Sequence, residues 1–128
     1  MNETVIQTNP AEERRQALRI AGNIPLKISS DDFDVVTETR NLSCSGAYCR
    51  VNQYVEPMTK LKVQLLLPFK RKDKVVTKKV SCGGVIVRTD AVLNDGLYNV
   101  AIFFNDISSR DAGYIAEYIS AFLAQQNQ

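Results

Sequence analysis

The chain of 128 residues contains no histidine. That absence removes the usual general base at neutral pH, the Ser-His and Cys-His nucleophile pairs, and the commonest metal ligand. Cysteine is scarce, with three residues at positions 44, 49 and 82 and no C-x-x-C spacing. An odd, scattered set suits reduced thiols in a cytosol better than a disulfide framework, and zinc has no ligand set here. Long apolar runs are lacking too. A run such as Leu65-Leu66-Leu67-Pro68-Phe69 is far too short to cross a bilayer, and the N-terminus has neither a basic n-region nor an apolar h-region. A cytoplasmic location is the expectation. These absences do not exclude paired-carboxylate catalysis, because Asp31, Asp32 and Asp34 lie close together. Their simpler reading is a solvated turn rich in turn-forming Asp. The expectation is a binding or regulatory protein, with no catalytic residues and no metal or other cofactor.

What is present is ordinary for a globular domain: 45% hydrophobic and 23% charged residues. The length allows one domain with one core. The net charge of +2 is unevenly spread. Between Lys60 and Lys79 stand eight basic residues against Asp73 alone, a local +7 that leaves −5 on the rest of the chain. Such a stretch is either a nucleic-acid or anionic-surface patch, or a solubilising hairpin with lysine guarding an edge. Phe69 is the only aromatic residue among these basic residues, whereas single-strand binders interleave several, so nucleic acid is the weaker alternative.

Residues 1–12 show little periodicity and read as a mobile tail, with a domain over 13–124. From there a period of two dominates. Ile24, Leu26 and Ile28 share a face, and Asp31-Asp32 forms the turn to a strand over Phe33 to Arg40. A third strand spans Ala47 to Val55 and ends at Glu56-Pro57. Leu61, Val63, Leu65 and Leu67 make the clearest stripe, stopped by Pro68 and joined through a charged turn to a strand starting near Val75. Gly83-Gly84 suggests a bulge or barrel corner before Val85-Ile86-Val87. Asn94-Asp95-Gly96 is a turn signal, and Leu97 to Phe104 is the sixth strand. The period then changes. Ser108 or Ser109 reads as an N-cap, and Ile115, Ile119, Phe122 and Leu123 recur at helical spacing. Six antiparallel strands and one C-terminal α-helix predict a mostly β protein, a small six-stranded barrel with the helix on an open end.

Two segments carry the functional signal. Arg14, Arg15 and Arg19 precede the first strand, and Asn41-Leu42-Ser43-Cys44-Ser45-Gly46 forms the turn after the second. If those strands pair as a hairpin, both segments lie at one end of the barrel. Arginine offers a bidentate fork to guanine O6 and N7, stacks on purines and pairs with phosphate. Asn41 can accept from guanine N1 and N2 hydrogens, Ser43 can donate to a phosphate oxygen, and Gly46 permits close approach. Taken singly, the first segment reads as a helical surface pair and the second as an ordinary Asx turn.

Together they resemble the PilZ domain, a bacterial receptor module for cyclic di-GMP. Its signature R-x-x-x-R is met by Arg15-Gln16-Ala17-Leu18-Arg19, and [D/N]-x-S-x-x-G by Asn41-Leu42-Ser43-Cys44-Ser45-Gly46, 22 residues later. The later strands and terminal helix are similar as well, so the resemblance covers roughly residues 12–123. It implies a split barrel that binds cyclic di-GMP through Arg14, Arg15, Arg19, Asn41, Ser43 and Gly46. It further implies an N-terminal segment ordered by that ligand and a signal relayed to a partner protein. Asn41 stands where aspartate is commoner, offering one amide acceptor in place of a carboxylate. Arg14 adds a guanidinium suited to an intercalated pair of ligands rather than one. A ligand-independent adaptor with the same fold is the alternative.

Overall fold

The computed structural model describes residues 19–93 and 95–126. They form β1 (Ile20–Ala21), β2 (Pro25–Ser29), β3 (Asp34–Leu42), β4 (Gly46–Val51), β5 (Lys60–Arg71), β6 (Lys74–Val92), β7 (Leu97–Asp106) and one helix, α1 (Ser109–Gln126). The sheet order is β1-β3-β2-β5-β6-β7-β4, and a further β3–β4 pairing closes it into a ring. All pairings are antiparallel. The period-two stripes point into this ring: Leu26, Ile28, Val63, Leu65, Leu67, Val80, Ile86 and Val100 are each at most 1% exposed. The mostly β fold with a closing C-terminal helix is therefore the one expected.

Seven strands appear where six were expected, and Thr39 is the reason. β1 and β2 both pair with β3, Ile20 opposite Leu42 and Pro25 opposite Glu38, so they lie in line along it. Between them Gly22, Asn23 and Ile24 leave the ladder. The Thr39 hydroxyl donates to the Gly22 carbonyl at 2.7 Å and accepts from the Ile24 N–H at 3.0 Å, standing in for ladder bonds. Ile24 is 2% exposed, so without Thr39 its N–H would lack a partner.

Three strand boundaries also differ from the sequence reading. β4 ends at Val51 rather than Val55. The chain then leaves as a strap whose Val55 is buried and whose Val55 carbonyl accepts from the Thr89 hydroxyl at 2.6 Å. β5 runs through Pro68 to Arg71. Proline is tolerated because β2 covers β5 only from Lys62 to Leu65, leaving the missing N–H an open side to face. β6 continues unbroken through Gly83-Gly84, with irregular register against β7 on both sides of Val85–Ile86. A Cβ on Gly84 would approach Ile102 Cγ2 to 2.8 Å and Val63 Cγ2 to 2.9 Å, so the glycine lets the ring close at that corner. The β6–β7 turn places Gly96 at φ 65°; Asn94 of that turn lies outside the described residues.

The helix begins where the sequence places it. The Ser108 hydroxyl accepts the Asp111 N–H at 3.1 Å, capping the first turn. Asp111 is 4% exposed, and its carboxylate accepts the Ser81 N–H of β6 at 3.3 Å. Ile115 and Ile119 are buried over the core, and Tyr118 meets Phe69 edge-on at 5.8 Å. Glu117 pairs with Arg71 at 3.1 Å and Lys78 at 3.7 Å. The helix thus closes the barrel end nearest the β5–β6 hairpin and β1.

Candidate functional site

The end of the ring bearing β1 holds Arg19 of the first segment together with the Asn41–Gly46 turn. Register puts Ala21 opposite Asn41 and Ile20 opposite Leu42. Arg19, exposed, immediately precedes β1, and its Nη1 donates to Asn41 Oδ1 at 2.9 Å. The two residues are 22 positions apart in sequence. Only one ladder register allows this contact, because a one-residue slip would turn Asn41 to the core face. Buried Ile20 and Leu42 prevent that slip. Arg14 and Arg15 lie outside the described residues. The expected tail over 1–12 and the start of the domain at 13 lie outside them as well.

Ser43 and Gly46 occupy the expected turn but serve it differently from expectation. Ser43 is 1% exposed, and its N–H donates to the Gly46 carbonyl at 2.9 Å. Its Oγ lies 3.3 Å from that same carbonyl, 3.2 Å from Ser45 Oγ, and accepts the Ser45 N–H at 3.3 Å. The hydroxyl is therefore occupied within its own turn. The exposed hydroxyl of this segment belongs to Ser45, whose carbonyl accepts the Phe104 N–H at 2.9 Å. Gly46 is buried, and a Cβ there would collide with the Ile102 carbonyl oxygen of β7. Its bareness lets β4 and β7 pair, a packing role rather than an open approach for a ligand.

Tyr48 was not legible from the motif. A register irregularity between Thr39 and Asn41 brings Tyr48 directly opposite Asn41 across β3–β4. The cross-strand row Ala21, Asn41, Tyr48, Ala101 then sets an amide beside a half-exposed aromatic ring on the outer face. Alternation along β4 points Tyr48 outward, but its partner depends on the bulged Arg40, which has no sequence mark. Arg88 lies opposite Ala101 at the end of the same row and pairs with Asp90 at 2.7 Å. Chemically, this surface can offer guanidinium forks, an amide, a hydroxyl and an aromatic face to a flat, anionic ligand.

The thiols supply no nucleophile. Burial pushes Cys49 up to about 12, and burial followed by Asp111 and Asp106 pushes Cys82 up to about 11. Burial also raises Cys44, within the turn. All three stay protonated at neutral pH. Asp31, Asp32 and Asp34 are exposed around the β2–β3 turn, as a solvated turn requires. Among the described residues no three His, Cys, Asp or Glu cluster to hold a metal, and no helix is long and apolar enough to cross a membrane.

Comparison with known proteins agrees with this architecture. The family model described as PilZ domain matches residues 13–121. A solved structure of the Bacillus subtilis inhibitor of motility, MotI/DgrA, superposes with a TM-score of 0.74 at 13% identity. The match covers 86% of this chain and 51% of that one, so this chain spans about half of its neighbour's length. No curated protein matches the sequence.

Proposed function

The chain belongs to the PilZ domain family, and on that footing we propose that it is a receptor for cyclic di-GMP that relays the ligand's arrival to a partner protein. The observation that carries the proposal is the 2.9 Å bond from Arg19 to Asn41, which joins the two halves of the family signature at one barrel end. Arg19 and Asn41 recognise guanine and phosphate, with Arg15 as the second motif arginine and Arg14 as a third cation. Ser43 and Gly46 shape the turn that presents Asn41. Ser45, the exposed hydroxyl, takes the donor role toward phosphate.

Ligand capture draws Arg14 and Arg15 onto this surface and so changes what the barrel end presents to a partner. The ligand's phosphates offer the guanidinium groups anionic acceptors. A mutually intercalated pair carries four phosphate charges and suits three arginines better than a single ligand does. Isothermal calorimetry with Arg15→Ala and Arg19→Ala tests the proposal. Each variant is expected to lose about 2 kcal/mol or more of binding, because each removes a charged hydrogen-bond donor. Folded wild-type protein that gives no binding heat at high micromolar ligand would leave the adaptor reading in its place.

A further inference from the structure

The β5–β6 hairpin extends past the barrel. β2 pairs with β5 only as far as Leu65, and β7 leaves β6 at Gly83. Residues 66–71 of β5 therefore continue for about 20 Å at ~3.3 Å per residue with β6 as their strand neighbour. The inward face of this ribbon, with Leu67, Phe69 and Val80, is buried under α1. Two cations on that side are engaged: Arg71 and Lys78 meet Glu117, and Lys78 also stands over the Phe69 and Tyr114 rings.

The outward face is different. Cross-strand pairing sets Leu66 beside Lys79 and Lys70 beside Val75, with Pro68 between them and Lys72 at the turn. Leu66 is 42% and Val75 58% exposed. Among the described residues, no carboxylate lies within ion-pair distance of Lys62, Lys70, Lys72 or Lys79. Asp73 is the only acidic residue in the stretch. The result is a protruding strip of aliphatic carbon bordered by ammonium groups that no described carboxylate pairs.

From this arrangement we propose that the outer face of the β5–β6 hairpin docks on an anionic lipid bilayer surface. Three features select lipid over other anions. Lysine is a point charge on a flexible stem, which serves a headgroup layer of no fixed geometry; protein interfaces are depleted in lysine and enriched in arginine and aromatics. Nucleic acid would use the lysines but gains nothing from Leu66 and Val75, and no aromatic ring is there to stack on a base. An acyl boundary gains from both the charges and the aliphatic strip. The remainder of the chain carries −5, so the resulting dipole turns the hairpin toward a negative surface. This docking does not rest on cyclic di-GMP recognition, since the hairpin shares no residue with that site.

Vesicle co-sedimentation tests it, using phosphatidylcholine vesicles with and without a third of phosphatidylglycerol, at low and physiological salt. The protein is expected to partition onto the anionic vesicles only. Lys70→Glu combined with Lys79→Glu should lower the partition coefficient about tenfold or more, each surface lysine being worth roughly fivefold. Leu66→Gln with Val75→Gln should lower it most clearly at physiological salt, where the screened charges contribute least. These side chains are exposed, and Lys72→Glu in the turn gives a third variant should either pair perturb folding. Absence of partition onto anionic vesicles, or partition that none of the variants reduces, would overturn the proposal. So would duplex oligonucleotide binding that depends on the same lysines but not on Leu66, with no vesicle binding.

Discussion

Replacing Thr39 with valine removes one oxygen from the fold while leaving volume and strand propensity nearly intact. That oxygen serves two backbone groups, donating to the Gly22 carbonyl at 2.7 Å and accepting the Ile24 N–H at 3.0 Å. Ile24 is 2% exposed, so its N–H would be left without a partner at about 1–3 kcal/mol. Gly22 is half-buried, and water reaching its carbonyl limits the second loss to about 1 kcal/mol. The expected sum is about 2–4 kcal/mol, read as a lower urea midpoint at unchanged slope and a melting temperature lower by roughly 10 °C or more. Thr39→Ser keeps the hydroxyl and removes a buried methyl, so about 1 kcal/mol is expected there. Since the bulge between β1 and β2 sets where Arg19 enters the site, Thr39→Val should also weaken ligand binding beyond its effect on folding. A Thr39→Val protein within about 0.5 kcal/mol of wild type, or a serine variant as damaged as the valine, would refute the bridging role.

Gly46→Ala should destabilise by at least about 2 kcal/mol, because the obstructing atom is the Ile102 carbonyl and cannot move without breaking the β4–β7 ladder; a wild-type melting temperature would contradict this. Asn41→Asp should match or exceed wild-type affinity for cyclic di-GMP, because a carboxylate accepts from the guanine N1 and N2 hydrogens with two charge-assisted bonds where the amide offers one acceptor. Asn41→Ala should weaken binding and relax discrimination against cyclic di-AMP, measured by competition titration. Stability should fall as pH rises above about 9. Unfolded thiols lose their protons there, while folded Cys82 and Cys49 hold theirs to about 11 and 12, so the unfolded state binds fewer protons. Urea midpoints at pH 8 and pH 10 check this, and a Cys49→Ala, Cys82→Ala protein should lose less between them than wild type.

The stripes Leu61-Val63-Leu65-Leu67 and Ile115-Ile119 were legible because burial on one face enforces a period, and both lie in the core as the pattern requires. The joining of Arg19 to Asn41 was legible for the same reason, since a hairpin of two alternating strands returns the chain to its starting level. What remained hidden depends on neighbours distant in sequence. Pro68 reads as a strand end until β2 is seen to stop short of it. Gly46 reads as ligand clearance until the Ile102 carbonyl is found behind it. Ser43 reads as a phosphate donor, yet the tightness of its own turn directs the hydroxyl inward and leaves Ser45 outside. Tyr48 gains its place beside Asn41 from a one-residue irregularity at Arg40 that no local composition marks.

Whether Arg19 and Asn41 together receive cyclic di-GMP is the central question, and backbone amide NMR during a ligand titration of the wild-type chain addresses it most directly. Saturable shifts are expected at Arg14, Arg15, Arg19, Ala21, Asn41 and Ser45, with the β2–β3 turn at Asp31 and Asp32 unmoved and saturation at two ligands per chain. Shifts that saturate at one ligand would retain the site and remove the intercalated pair. Folded protein with no shift at millimolar ligand, or shifts confined to residues away from the Arg19–Asn41 contact, would contradict it.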